Sequence, residues 1–362
     1  MGVFGIMALT EELRQYAKDR GIDLVGCTSA RCFQVGQERR ELDPRNAVPD
    51  AEAFVVAACY MYGFETAEPS RPGAPRGRFG PWTRGSMPAV GHGERTLRGF
   101  FEERGSKALP VGDFPLKMAA VRSGIACYGK NSIVHADGFG SYLKLSAVIT
   151  NAKLDCVDRA VETSDCGDCR ACVEACPTNA LATPYRLNRE RCITAMFWGS
   201  PIPLELRSKT DGYIHRCGFC QDACPKNQGL KPRAAWPFPL EPKTDRPELI
   251  LLLLGDEGYY KAALPEFPLR AGIETLRRNV AVALGNSGDP AAIPPLVQTL
   301  ADSPVQCRAA AAWALGRLGG AEARRALESA LGPEQDQEVR AEIAGALVQV
   351  RVREGRECHE HR

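Results

Sequence analysis

The chain has 362 residues, 44% hydrophobic and 25% charged, enough to bury a large core in roughly two or three domains. A formal charge of +2 excludes a bulk pull towards nucleic acid or membrane, so any polyanion site must be built locally. The apolar run LILLLLG at 249–255 is far short of the roughly 20 residues that cross a bilayer, and MGVFGIMALTEELRQ has no signal-peptide features; the expectation is a cytoplasmic protein without a membrane partner.

From Thr10 to about Val157, helical stretches such as TEELRQYAKDRG and LRGFFEERG alternate with IDLVGC, AEAFVVAACYMY and YLKLSAVIT. This pattern predicts an α/β or α+β domain over 1–157 with a covered sheet. Within it, residues 64–93 are rich in Gly, Pro and Arg (EPSRPGAPRGRFGPWTRG) and are predicted to form a long loop. Residues 158–230 hold most of the cysteines and little periodic hydrophobicity, so a bound metal group is expected to organise them as a ferredoxin-like module. A connector is expected over 231–273 and an all-α repeat region over 274–362. There Arg277, Arg308 and Arg340 align, as do Ala-Leu pairs at 283, 314 and 346, a period of 31 to 32 residues that reads as HEAT-like helical repeats; a plain helical hairpin is the competing reading.

Fifteen cysteines in a reducing compartment point to metal or redox chemistry before disulfides. One motif is Cys166-x2-Cys169-x2-Cys172-x3-Cys176-Pro177; another is Cys217-x2-Cys220-x3-Cys224-Pro225, with Cys192 ahead of it. In the two-cluster ferredoxin arrangement the last thiolate of one motif completes the other motif's set. Cys166, Cys169, Cys172 and Cys224 are thus expected to hold one 4Fe-4S cluster, and Cys176, Cys192, Cys217 and Cys220 a second. Two structural zinc sites are the alternative that CxxC pairs also suit. Paired clusters make an electron wire, so a reaction centre is expected in the N-terminal domain.

There, MAAVRSGIACYGKNSIVHADGFGSYLKLSAVIT (118–150), followed by RCITAMFWGSPIPLELR and RCGFCQDACPKN, resembles the epoxyqueuosine reductases. These are cobalamin-dependent, two-cluster iron-sulfur proteins related to reductive dehalogenases. The resemblance extends to DPRNAVPDAEAFVVAACYMY and LRAGIETLRRNVAVALGN, nearly the whole chain. It implies cobalamin beside the clusters and an epoxide substrate in the anticodon stem-loop of tRNA, with an external low-potential electron donor. Arg45, Trp82, Lys130, Asn131, Gly140 and Ser141 match corrinoid-side positions; tight turns are the competing reading for the YGKNS and FGSY segments. The family's proton-donating aspartate lies fourteen residues before the glycine at 124, which falls on Pro110; Asp113 is the candidate acid, with a solvent-facing loop aspartate as its alternative and Tyr128, His135 and Tyr142 as reserves.

For RNA, Arg277, Arg308 and Arg340 could face phosphates in a row or pair with carboxylates of neighbouring repeats, and RGRFGPWTRG, with Arg76, Arg78 and Arg84, is a second candidate surface. A corrinoid reductase of a small organic molecule and an electron-transfer or corrinoid-reactivating protein are the competing functions. The chain is expected to act as a monomer.

Overall fold

The computed structural model describes residues 3–33, 44–63, 69–81, 83, 85–111, 114–161, 166–239, 246–264 and 272–360. They form two compact units that interleave along the chain: Met1–Gly63, Arg84–Asn188 and Gly218–Pro242 make the first, and Phe64–Thr83, Arg189–Cys217 and Lys243–Arg362 the second. The cysteine-rich segment 158–230 is therefore shared between the units, as is the expected connector 231–273. Arg233 shows why the connector divides: its guanidinium pairs with Asp23 and donates to the Gly21 carbonyl (2.9 Å), tying that stretch into the first unit.

The first unit is built on a four-stranded sheet in the order Leu24–Ser29, Ala53–Tyr60, Leu143–Thr150, Ala108–Pro110. All three pairings are antiparallel, so the fold is α+β. Every residue of Ala53–Tyr60 is buried, because helices cover both faces of the sheet; this is why AFVVAACY is a continuous apolar run without alternation. Phe54, Val56 and Ala58, in register with Ile149, Ala147 and Leu145, pack against Ala119, Ala120 and Val121 of the helix Leu116–Arg122. The helix Ser86–Glu102 lies on the opposite face, so near that a Cβ at Gly93 would sit 2.0 Å from Ser146 Oγ. Tyr16 of the helix Val3–Lys18 meets Phe100 edge-on at 5.2 Å.

In the second unit the helices Gly272–Ser287, Ile293–Asp302, Val305–Leu318, Gly320–Leu331 and Gln337–Glu360 stack as paired repeats. The period of the sequence has a packing cause: a Cβ at Gly285 would lie 2.8 Å from Ala314 Cα, and one at Gly316 would lie 2.7 Å from Ala346 Cα. Glycine against alanine, repeated once per unit, lets the inner helices approach closely. The first of these helices is anchored by Arg278, which donates to the carbonyls of Met196 (3.0 Å) and Ser200 (2.9 Å), and by Asn279, which donates to the Ile214 carbonyl (3.0 Å).

The Arg-rich insert differs from the loop expected over 64–93. Arg78–Phe79 pairs in parallel with Tyr213–His215, and the helix after the insert begins at Ser86. Pairing with a strand more than a hundred residues away leaves no local signal. The aligned arginines are engaged within the second unit: Arg277 donates to the Gly255 carbonyl ahead of the repeats, Arg308 grips Glu334 through Nε and Nη2 at 2.8 Å, and Arg340 donates to the Leu331 (2.8 Å) and Glu334 (2.9 Å) carbonyls. Their alignment reflects the junctions between repeats.

Candidate iron-sulfur site

In the first unit, Cys166, Cys169, Cys172 and Cys224 line one cavity, together with Lys130, Asn131 and Ser141. Local turns deliver the first three: Cys169 N donates to the Cys166 carbonyl (2.9 Å), Gly167 between them takes φ 47°, and Cys172 lies in the helical turn Ala171–Glu174. Cys224 follows the turn Phe219–Asp222 and is itself extended, so that Pro225 starts a new turn leading away. Little apolar packing supports this region; Cys172, Val173 and Leu181 form a small buried cluster with Cys176 and Cys220 at its edge.

Burial pushes the Cys172 thiol above its ordinary pKa, and the facing sulfurs of Cys224, Cys166 and Cys169 raise it further; burial likewise raises Cys224. Four sulfurs so placed repel one another as thiolates. Positive iron removes that conflict, because a coordinating thiol is deprotonated outright. Cys166, Cys169, Cys172 and Cys224 face one shared cavity, and four thiolate donors are what such a cluster requires. The donor set thus fits a cluster.

The cavity wall explains the YGKNS and FGSY segments. A hairpin joins Cys127–Tyr128 to Val134–His135, with Lys130 and Asn131 at its tip. The Lys130 ammonium donates to the carbonyls of Gly167 and Cys169 (2.9 Å for the latter), which braces the cysteine loop and places a cation beside it. Asn131 Oδ1 accepts the Ile133 N–H (3.0 Å). Gly140 has φ 55°, and a Cβ there would meet Asn227 Oδ1 at 2.2 Å. Ser141 N donates to Asn227 Oδ1 (2.7 Å), Asn227 Nδ2 to Ser141 Oγ (2.9 Å) and the Gln221 carbonyl (2.8 Å), and Gln221 Nε2 to Ser141 Oγ (2.9 Å). This buried knot docks the segment bearing Cys224 onto the 140–141 loop.

Of the other expected ligands, Cys176 and Cys220 belong to the first unit and Cys192 and Cys217 to the second. In the second unit Thr194, two residues after Cys192, accepts the Cys217 N–H through its hydroxyl (3.1 Å). Asp113, Trp82 and the side chain of Arg45 lie outside the described residues. Of the reserve donors, Tyr142 stacks on Tyr62 at 4.8 Å; burial raises its phenol pKa, and Asp222 adds to the effect. Burial raises that of Tyr128 as well, so both phenols stay protonated. His135 is buried against the cysteine cavity. Sequence reasoning missed Gln221, Asn227 and Thr194. The first two lie inside the RCGFCQDACPKN motif, but no spacing rule ties them to Ser141.

Residues 165–227 match the 4Fe-4S double cluster binding domain and residues 269–348 match HEAT repeats. Fold and cysteine set together define a double-cluster iron-sulfur protein with a HEAT-repeat tail. The sequence is 28% identical to the epoxyqueuosine reductase of Bacillus subtilis over 93% of this chain and 95% of that one. The fold matches the crystal structure of an epoxyqueuosine reductase with an epoxyqueuosine-modified tRNA stem loop, with a TM-score of 0.85, 27% identity, and coverage of 95% of this chain and 99% of that one. It matches equally, with the same TM-score, identity and coverage, a Bacillus subtilis epoxyqueuosine reductase whose aspartate-bearing catalytic loop is swung out of the active site. Over nearly its whole length the chain is thus similar in sequence and in fold to epoxyqueuosine reductases.

Proposed function

We propose that this chain reduces epoxyqueuosine to queuosine in tRNA. The observation that carries the reading is the full-length likeness, with a TM-score of 0.85 over 95% of the chain, to a reductase solved with its modified stem loop. The reaction breaks both C–O bonds of the epoxide, forms a C=C bond and releases the oxygen as water, which takes two electrons and two protons. An external low-potential donor supplies the electrons; iron-sulfur clusters, when bound, would supply one-electron transfer chemistry here. Cys166, Cys169, Cys172 and Cys224 would hold one cluster and Cys176, Cys192, Cys217 and Cys220 the other. Lys130 orients the first cysteine loop and offsets its negative charge. Asp113 gives a proton to the departing oxygen. The enzyme works as a monomer in the cytoplasm, where tRNA is at hand and thiols stay reduced.

Cobalamin is the second cofactor that the family resemblance implies; when bound, it supplies the low-valent metal that meets the substrate. Lys130 donates to the Cys169 carbonyl, Asn131 Oδ1 accepts the Ile133 N–H and Ser141 Oγ accepts from Asn227, which fixes these side chains beside the cysteine cavity. Arg45, Trp82, Lys130, Asn131, Gly140 and Ser141 are the candidate residues that would hold the corrin.

The test is anaerobic reconstitution with iron and sulfide, with and without cobalamin, followed by incubation with tRNA bearing the epoxide and a low-potential reductant. Mass spectrometry of the digested nucleosides should find queuosine. Loaded protein that leaves the epoxide intact but reduces a small organic substrate would replace this reading with the small-molecule one.

A further inference from the structure

Within the second unit, the hydroxyl of Thr194 makes two contacts with Cys217. Cys217 N donates to Thr194 Oγ1 (3.1 Å), and Thr194 Oγ1 in turn donates to Cys217 Sγ (3.7 Å). A hydroxyl has one proton to give, and here it goes to the sulfur. Thr194 and Cys217 are half-buried, on segments whose Ile193, Met196, Ile214 and His215 are each at most 3% exposed. A hydrogen bond in such a low-dielectric setting is stronger than the same bond in water.

Both partners are held in place by their own segments. Thr194 lies in the helical turn Ile193–Met196, which starts from Cys192, the other expected ligand of this unit. Arg216, just ahead of Cys217, has φ 55°, a left-handed conformation that residues other than glycine rarely adopt. Such a backbone persists only where its surroundings dictate it. Here the Arg216 guanidinium lies 5.6 Å from the centroid of the Trp198 ring, so the segment after Cys192 holds Arg216 as well as Cys217. Gly80 closes on the same peptide from the insert: its N–H donates to the His215 carbonyl (2.9 Å), and a Cβ there would come within 2.9 Å of Cys217 N.

A neutral thiol is a weak acceptor, so a hydroxyl gains little by pointing at one. A cysteine bound to iron is a thiolate, and the same contact becomes charge-assisted. An electron added to a cluster puts further negative charge on its sulfurs, so a hydrogen bond to one of them is stronger in the reduced state and raises the reduction potential. We infer that Thr194 is a positioning residue that sets the potential of the cluster Cys217 would help to hold, through its hydrogen bond to the Cys217 sulfur. This requires Cys217 to be a cluster ligand, as the proposed function has it.

The test uses the full-length chain reconstituted anaerobically with iron and sulfide, with iron counts and an EPR-monitored redox titration as readouts. Cys217→Ala identifies the cluster concerned by losing it. Thr194→Val keeps the shape of the side chain and removes the hydroxyl; the reduction equilibrium of that cluster should fall roughly tenfold, about 59 mV for one electron, while the other potential stays where it is. Thr194→Ala, small enough to admit a water to the Cys217 N–H, should fall by less. Thr194→Ser keeps the donor and should hold the wild-type potential, a rescue that a role in packing alone does not give. An unchanged potential in Thr194→Val with both clusters loaded would overturn the inference and leave the ligand assignment standing. Loss of the cluster in both Thr194→Val and Thr194→Ala would make Thr194 a structural brace and overturn it as well. If Cys217→Ala keeps both clusters, the ligand assignment itself falls and takes the inference with it.

Discussion

Replacing Asn227 with alanine tests whether the buried knot at the 140–141 loop holds the cysteine cavity together. Asn227, Ser141 and Gln221 are 8%, 2% and 1% exposed, so water is largely excluded from their hydrogen bonds. Truncation leaves the Ser141 N–H and the Gln221 carbonyl without the partners found at 2.7 and 2.8 Å. Each such loss costs about 1–3 kcal/mol, and a water entering the vacated space recovers part, so a net loss of about 3–4 kcal/mol is expected. For a unit of this size each kcal/mol moves the melting midpoint by roughly 2–4 °C, which predicts a fall of roughly 6–16 °C. Cys224 lies three residues before Asn227, so the holoprotein should also lose about half its iron, measured colorimetrically and by the cluster absorbance. Asn227→Asp keeps the acceptor for Ser141 N and loses both donated bonds, and should fall between. A full iron complement and an unchanged melting midpoint in Asn227→Ala would refute the assignment of the knot.

Lys130→Met removes the cation beside Gly167 and Cys169 at nearly constant volume; an EPR-monitored redox titration should find one cluster potential lowered by on the order of 100 mV. Cys176→Ser should remove the second cluster and leave the set at Cys166, Cys169, Cys172 and Cys224 loaded, so a spectrum showing loss of the first cluster alone would contradict the ligand exchange between motifs. Gly316→Ala gains up to about 1 kcal/mol in helix propensity, but its Cβ would lie 2.6 Å from that of Ala346, and overpacking of about 1–3 kcal/mol should win, lowering the melting midpoint. At Gly345, where a Cβ meets nothing within 4 Å, the same change should raise it. The hydrogen bonds from Arg308, and then from Asp336 N, hold the Glu334 carboxyl below its ordinary pKa. The folded state therefore resists protonation, and stability present above the ordinary glutamate pKa is lost as pH falls below it; Glu334→Gln should flatten that acid limb of a melting-against-pH profile.

What could be read from the sequence is what the chain encodes locally. The cysteine motifs place thiols on adjacent turns, and the recurrence of Ala-Leu pairs and Gly at 285 and 316 reports one repeat packing on the next. Helices covering both faces were legible in AFVVAACY, because an uninterrupted apolar strand must be buried on each side. Strand direction was not, since burial says nothing about which way a neighbour runs. Nor were the long-range pairings: Arg78 with Tyr213, and Ser141 with Asn227, join segments whose residue types suit many surroundings. The arginines illustrate both cases. Alignment at 277, 308 and 340 was visible and marked repeat junctions, whereas the gathering of Arg71, Arg76, Arg78 and Arg246 around one cavity of the second unit appears only in the fold.

The bond between Ser141 and Asn227 spans 86 residues of chain. On a ribosome adding about 5–20 residues per second, the loop at 140–141 waits roughly 4–17 s for its partner to emerge. Cys166, Cys169 and Cys172 are made during that interval, before Cys224 and the segment that seats it. The nascent chain thus passes through a stage with three of the four sulfurs of one set and no closed cavity around them. On the proposed ligand set, delivery of iron and sulfide would accordingly be a late event in this protein's biogenesis, following synthesis of Cys224.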